Sequence, residues 1–400
     1  MFEIIFMILF GICVGTLTGL VPGLHTNTVA IIITGGAVTL VRWFSPLEVA
    51  AFLITLVVIH SFVDFIPSIF LGAPEDATVL SVLPGHELLM KGVGFRALKL
   101  TVIGGIGTFF IGLFLIPFMF ILLQRIEPHL SQIIAPVLII FSVLFILQES
   151  TNKKRVWATI IFLLAGTLGL ITLNHLSIKQ PLFPLLSGLF GMSTLLLSLF
   201  NKKRIPKQTL CEKLPLVSRK HLLAYWKAGV SSLIVSILPA IGAAQAAVIS
   251  RAFTKFKEHE DFLIVLGGIN TAAALFTLTT LFLLGKARTG VIAALDEIIE
   301  LSFSDYLILL VIGFNAMIFG AAITLKIGRI AAKNITQINY HLISISVLGL
   351  LILMSLIFTG LLGLWILFVS GCIGLLAPLV GVKRIHLMSV LVVPVVIYYI

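Results

Sequence analysis

The sequence predicts an all-α polytopic membrane protein, and three observations carry that prediction. Hydrophobic residues make up 59% of the 400 residues, charged residues only 11%, and mean hydropathy is +1.19. A soluble domain is about 45–50% apolar and about 25% charged, so this chain lacks the polar side chains to cover a water-facing surface. Its apolar residues also run on without alternation, in stretches near the roughly 20 residues a helix needs to cross a hydrocarbon core. A membrane β-barrel would instead show short strands of alternating polarity. Finally, basic clusters punctuate the apolar runs, as positive-inside topology requires.

Candidate segments lie near 2–20, 26–42, 47–66, 97–123, 131–148, 156–173, 181–200, 223–250, 262–284, 304–324, 342–361, 363–381 and 386–400. Several are short or broken by Pro and Gly, so about 10–13 membrane segments are expected, some of them half-spans. Residues 2–20 read as a retained segment, because no small-residue cleavage site opens from them onto a polar stretch. The linker 201–222 holds Lys202, Lys203, Arg204, Lys207, Lys213, Arg219 and Lys220 against Glu212 alone, which places it in the cytoplasm. Loops 85–99 and 149–155 and the pairs Lys326/Arg329 and Lys383/Arg384 fall on that same side, while the acidic stretch 286–305 falls outside.

The excess of 27 Lys+Arg over 16 Asp+Glu is therefore a topology signal. The basic clusters are not interleaved with aromatics on a polar face, and nucleic-acid binding is not expected. Cys13, Cys211 and Cys372 lie far apart and outline neither a disulfide framework nor a metal site.

Two halves share an internal similarity. Val21-Pro22-Gly23-Leu24 matches Leu238-Pro239-Ala240-Ile241, and Ser68-Ile-Phe-Leu before Val79-Leu80 matches Thr280-Leu-Phe-Leu before Val291-Ile292. The first polar loop falls inside and its counterpart outside, as an inverted repeat demands. The expected organisation is a first repeat with its following hairpins over 1–200, the basic linker 201–222, and a second repeat over 223–400. Each repeat would contain a Pro/Gly-broken helical hairpin. Such breaks expose backbone groups that lipid cannot satisfy, so they belong around a cavity or inside the protein. Inverted repeats with broken helices are the architecture of many secondary transporters, with the site near the midplane.

Three constellations carry the chemistry. In the first, Pro22 and Gly23 interrupt a helix and His25, Thr26, Asn27 and Thr28 restart it. A restarting helix presents free N–H groups and a positive dipole end, which suit an anion, and the side chains serve equally as caps or cation ligands. The second runs from Asp64 through Pro74-Glu75-Asp76; carboxylates within a membrane are costly and functional by default, although a Pro-Glu-Asp run also caps a helix. In the third, Lys286 and Arg288 precede Thr289 and Gly290, placing two cations where the dipole disfavours them. An anionic ligand would relieve that mismatch; a pair snorkelling to the interface is the alternative. Ser236, Gln245, Asn270 and Thr271 are polar positions in the surrounding apolar helices. No HExxH, GxSxG or Walker A sequence is present, and no enzyme is expected.

At these constellations the chain resembles the large membrane subunit of the tripartite tricarboxylate transporters. Gly19-Leu-Val-Pro22-Gly23 echoes that family's first break, and Gly85-His-Glu-Leu88-Leu-Met-Lys-Gly92-Val-Gly-Phe-Arg-Ala97-Leu98 follows the spacing of its second motif. The likeness covers most of the chain and is closest to the shorter, archaeal-type members. It implies a permease in the cell membrane, working with a small membrane subunit and an extracytoplasmic binding protein. Val21-Pro22-Gly23 with Thr28 also resembles the break in polyprenyl-phosphate carriers, which is the alternative function.

The expected function is secondary active transport of a small organic anion, a di- or tricarboxylate, by alternating access. Substrate is expected at Pro22, Gly23, His25, Thr26, Thr28, Pro239, Gln245, Lys286, Arg288 and Thr289. The coupling ion, Na⁺ or H⁺, is expected at Asn27, Asp64, Asp76 and Asn270. No further cofactor is expected.

Overall fold

The computed structural model describes residues 2–21, 26, 29–30, 33, 42–72, 78, 82–174, 181–200, 205–210, 214, 218–237, 243, 246–247, 250, 259–337 and 340–400. Among them the secondary structure is helical throughout. Seven helices among the described residues are long and apolar enough to cross a membrane, so the chain is a multi-pass membrane protein.

The first half contributes α1 (Phe2–Leu20), α2 (Pro46–Val63), a π-turn at Pro67–Leu71, α3 (Val82–Met90) and α4 (Gly94–Leu147). Next come α5 (Asn152–Leu173) and α6 (Leu182–Leu186), which passes through a π-turn at Ser187–Met192 into α7 (Ser193–Phe200). The second half holds α8 (Arg219–Ile237), α9 (His259–Leu284), α10 (Gly290–Ile298), α11 (Phe303–Asn334), α12 (Tyr340–Leu379) and α13 (Ser389–Tyr399). Local chemistry sets many boundaries. Pro46 opens α2, with Glu48 Oε2 reaching back to Ser45 N–H at 2.8 Å. Thr151 accepts from Lys154 N at the start of α5, and Ser302 accepts from Asp305 N at the start of α11.

The elements pair in order across the halves. α1 and α8 have 19 residues each, and α3 and α10 have 9 each. The span Pro46–Leu71 matches Glu260–Leu284, at 26 and 25 residues, and Gly94–Ile126 matches Phe303–Asn334, at 33 and 32. Glycine contacts give the helix directions. An added Cβ on Gly104 would strike Ile264, one on Gly267 would strike Thr101, and one on Gly112 would meet Leu275, so α4 and α9 run parallel. Gly313 faces Ile54 and Gly320 faces Phe62, so α11 runs parallel to α2. Gly313 also faces Phe109 while Gly328 faces Leu98, so α11 opposes α4. α2 and α4 therefore run opposite to their counterparts α9 and α11, the signature of an inverted repeat. Small residues permit this because helices in lipid associate through close backbone packing.

α2 and α9 form the enclosed centre, and the other long helices keep apolar faces outward. Against the expected segments, 97–123 and 131–148 fall on one helix, α4, and 342–361 and 363–381 meet at Gly360 within α12. Gly360 takes φ 72°, which lets the backbone break there. The expected segment 386–400 contains a helix of 11 residues, short of a full crossing. Loops assigned to one side do meet: Thr209 N donates to Gly92 O at 2.8 Å, and Gly94 N donates to Gln208 Oε1 at 2.8 Å.

Candidate functional site

The two central helices meet on polar groups. α2 stops at Asp64, whose N–H still donates to His60 O at 3.0 Å. Pro67 has no N–H to offer the ladder, so the helix loosens into the π-turn that Gly72, at φ 65°, closes. That irregularity places Asp64, 1% exposed, on the face toward α9. Asn270 Nδ2 donates to Asp64 Oδ2 at 2.9 Å and to Ser61 O at 3.1 Å. Ser61 Oγ lies 3.5 Å from Thr271 Oγ1. An added Cβ on Gly105 of α4 would stand 2.8 Å from Thr271 Oγ1 and 2.6 Å from the Phe62 ring, so only glycine lets α4 close over this seam.

One turn before Asp64, His60 Nδ1 lies 3.0 Å from Thr18 Oγ1 of α1. The Thr18 hydroxyl also lies 3.2 Å from Gly15 O, within its own helix. Thr18, His60, Ser61, Asp64 and Thr271 are buried and Asn270 between them is half-buried, so polar groups of both repeats gather along this seam. It joins the first repeat to the second. A carboxylate buried in a membrane protein is costly to maintain without good partners.

The structure thus brings together two of the expected coupling-ion residues, Asp64 and Asn270. The expected Asn27 and Asp76 lie outside the described residues, as do Pro22, Gly23, His25, Thr28, Pro239 and Gln245. Thr26 is described and buried. Ser236 is buried and donates to Leu233 O at 2.8 Å, within its own helix.

Lys286, Arg288 and Thr289 occupy the turn from α9 to α10, after Gly285 at φ 60°. At about 1.5 Å of rise per residue they stand roughly 20 Å along α9 from Asn270. The fold therefore does not bring these cations onto the seam. Thr289 is the N-cap of α10, its hydroxyl accepting from Ile292 N at 3.4 Å. Lys286 is exposed, while Arg288 is half-buried with its Nε enclosed and without a hydrogen-bond partner. Two cations thus stand ahead of a helix N-terminus, and the Nε of Arg288 is an unanswered donor.

Sequence reading passed over a third constellation. Glu149, 4% exposed, accepts from His386 Nε2 at 3.0 Å and from Lys383 N at 3.1 Å, and His386 is 1% exposed. Burial pushes the Glu149 carboxyl up, but the His386 and Lys383 hydrogen bonds and the nearby positive charge outweigh it and hold it below its ordinary value. The pair spans 237 residues of sequence, so no local pattern announces it. His60 and Ser61 had a signal, a polar pair inside an apolar run one turn from Asp64. Arg96, whose sequence reading is a topology charge, pairs with Glu260 at 2.9 Å and joins the starts of α4 and α9. Among the described residues no group of three or more His, Cys, Asp or Glu converges.

The model of the tripartite tricarboxylate transporter TctA family matches residues 5–389. The chain belongs to that family. It is also 28% identical to the uncharacterized protein MJ1079 of Methanocaldococcus jannaschii, over 100% of this chain and 99% of that protein. No solved structure matches the chain significantly. TctA membership makes this a transporter family member and sets aside the polyprenyl-phosphate alternative, which nothing in the comparison favours. The described TctA seam lies where the two repeats meet, the position at which inverted-repeat transporters hold their cargo and ions.

Proposed function

We propose that this TctA-family protein is a secondary active permease for a di- or tricarboxylate, coupled to Na⁺ or H⁺ by alternating access. The observation that carries the reading is Asp64, buried where α2 of one repeat meets Asn270 of the inverted other. In this reading Asp64 and Asn270 serve the coupling cation, joined by Asn27 and Asp76. Lys286 and Arg288, with Thr289 beside them, receive the anion at the outer end of α9. Pro22, Gly23, His25, Thr26, Thr28, Pro239 and Gln245 complete its passage at the helix breaks. A small membrane subunit and an extracytoplasmic binding protein are the partners that the family's tripartite systems suggest, and the cell membrane is the location.

The test is uptake of labelled citrate and dicarboxylates into proteoliposomes under an imposed Na⁺ or pH gradient. One carboxylate should accumulate with one of the two gradients. Arg288→Ala should abolish anion-dependent uptake while the protein remains inserted, and normal uptake by that variant would remove its role. Uptake of a carboxylate that neither gradient accelerates would overturn the coupling.

A further inference from the structure

Positive-inside signalling explains why the basic clusters Lys153-Lys154-Arg155 and Lys383-Arg384 exist. It does not explain why they meet. Lys383 N donates to Glu149 Oε1 at 3.1 Å, Arg155 Nε donates to Glu149 O at 3.2 Å, and the Lys154 side chain passes over Gly381, whose added Cβ would stand 3.7 Å from Lys154 Cε. Two clusters more than two hundred residues apart thereby form one corner. Arg155 is held by Asn152 and the Glu149 carbonyl, and Arg384 by Thr194. Lys153 and Lys383 are exposed and Lys154 is half-buried; neither Lys153 nor Lys154 forms an ion pair among the described residues, while Lys383 adds its charge to the field at Glu149. Glu149, the acid of this corner, is turned inward against His386.

Beneath the corner, a cavity of about 40 Å³ opens between the end of α4, α5 and α13, walled mainly by Leu138, Phe141, Phe145, Phe162 and Val392. Phe141, Phe145 and Phe162 are half-buried, so one side of it is open. Phe145 precedes Glu149 by one turn and Phe162 follows Lys154 by about two, which sets the cavity roughly 6–12 Å deeper than the cations. Ser389 also lines it, and its hydroxyl is buried without a hydrogen-bond partner. A free inorganic anion would use the cations and leave the apolar walls and the hydroxyl unanswered. A lipid answers all three, with charge above, chain below and an oxygen between.

We infer that this corner holds an anionic phospholipid as a resident ligand, its phosphate on Lys153, Lys154 and Lys383 and its first chain segment between Phe145, Phe162 and Ser389. Basic pockets between helices on the cytoplasmic side are suited to such headgroups. The site lies apart from the α2–α9 seam and does not depend on what the protein carries.

The experiment uses delipidated full-length protein in detergent, with phosphatidylglycerol, phosphatidylcholine and inorganic phosphate as probes. Apparent melting temperature and lipid retention in native mass spectrometry are the readouts. Phosphatidylglycerol should stabilise and be retained, and the other two should not. Lys153→Gln/Lys154→Gln/Lys383→Gln should weaken that binding on the order of a hundredfold, at about fivefold per cation. Ser389→Ala should weaken it a few-fold yet leave the lipid-free protein as stable or more so, because it removes an unanswered buried hydroxyl. Equal stabilisation by phosphatidylcholine, no stabilisation by any lipid, or a full response in the triple variant overturns the inference. A response reproduced by inorganic phosphate reduces the site to an anion site and overturns the lipid. If the triple variant fails to fold, the three-probe comparison on the unaltered protein and the Ser389→Ala readout decide.

Discussion

Asp64 and Glu149 are both carboxylates buried in a lipid-solvated protein, and their surroundings differ in kind. Asp64 sits at the crossing of two inverted repeats, against the neutral amide of Asn270. Glu149 sits in the connection from α4 to α5, against an imidazole, a backbone N–H and a ring of cations. Taking a carboxylate out of water costs several kcal/mol unless good partners replace the hydration. At Glu149 the loops supply positive charge, so the group ties α4 to the turn before α13. At the seam Asn270 of the other repeat supplies a hydrogen bond, where the two repeats meet. The contrast is between a carboxylate that ties the fold together and one that, in the proposed reading, serves a coupling cation.

The variants that break this contrast differ in readout as well as size. Asp64→Asn should abolish gradient-driven uptake in proteoliposomes while leaving the melting temperature close to that of the parent; retained uptake would remove Asp64 from coupling. His386→Ala leaves a buried carboxylate without its ring partner and should lower unfolding free energy by about 3–5 kcal/mol, with transport per folded molecule unchanged. A matching loss of specific uptake would erase the distinction between the two sites. Gly104→Ala would set a Cβ 2.0 Å from Ile264 O, so overpacking between α4 and α9 should cost about 1–3 kcal/mol in chemical denaturation.

A pH series sharpens the Glu149 side. Its carboxyl is held below the ordinary value of 4.5, so the unfolded chain binds its proton more readily. The stability it contributes is present above about pH 4.5 and is lost as pH falls through the lower folded value. Glu149→Gln should flatten that acid limb of the melting-temperature profile, and an unchanged limb would show that other groups govern it. The smallest effect expected is at Thr289→Ala, where loss of the N-cap of α10 should cost about 1 kcal/mol, read by thermal melting.

Much of this was legible in one dimension. A chain 59% hydrophobic and 11% charged can satisfy its surface only in lipid, and the matching of Pro22 with Pro239 anticipated the pairing of α1 with α8 and α2 with α9. Asp64 and Asn270 stood out as polar residues in apolar runs. Their contact did not, because 206 residues separate them and only the antiparallel crossing of α2 and α9 sets them together. Arg288 illustrates the converse. Sequence reading put Asn270 among the polar positions of the helices around it, and the length of α9 holds the two roughly 20 Å apart.

Composition and the length of the apolar runs by themselves determined that this is a helical membrane protein. That property follows from solvation, which each segment feels through its own side chains. Tertiary structure alone decided which buried polar groups meet: Asp64 with Asn270, His60 with Thr18, Glu149 with His386, and the two lysine clusters with each other. Those pairings depend on helix direction and on the glycines that let backbones approach, because hydrogen bonds and ion pairs act over a few ångströms of space, whatever the distance along the chain.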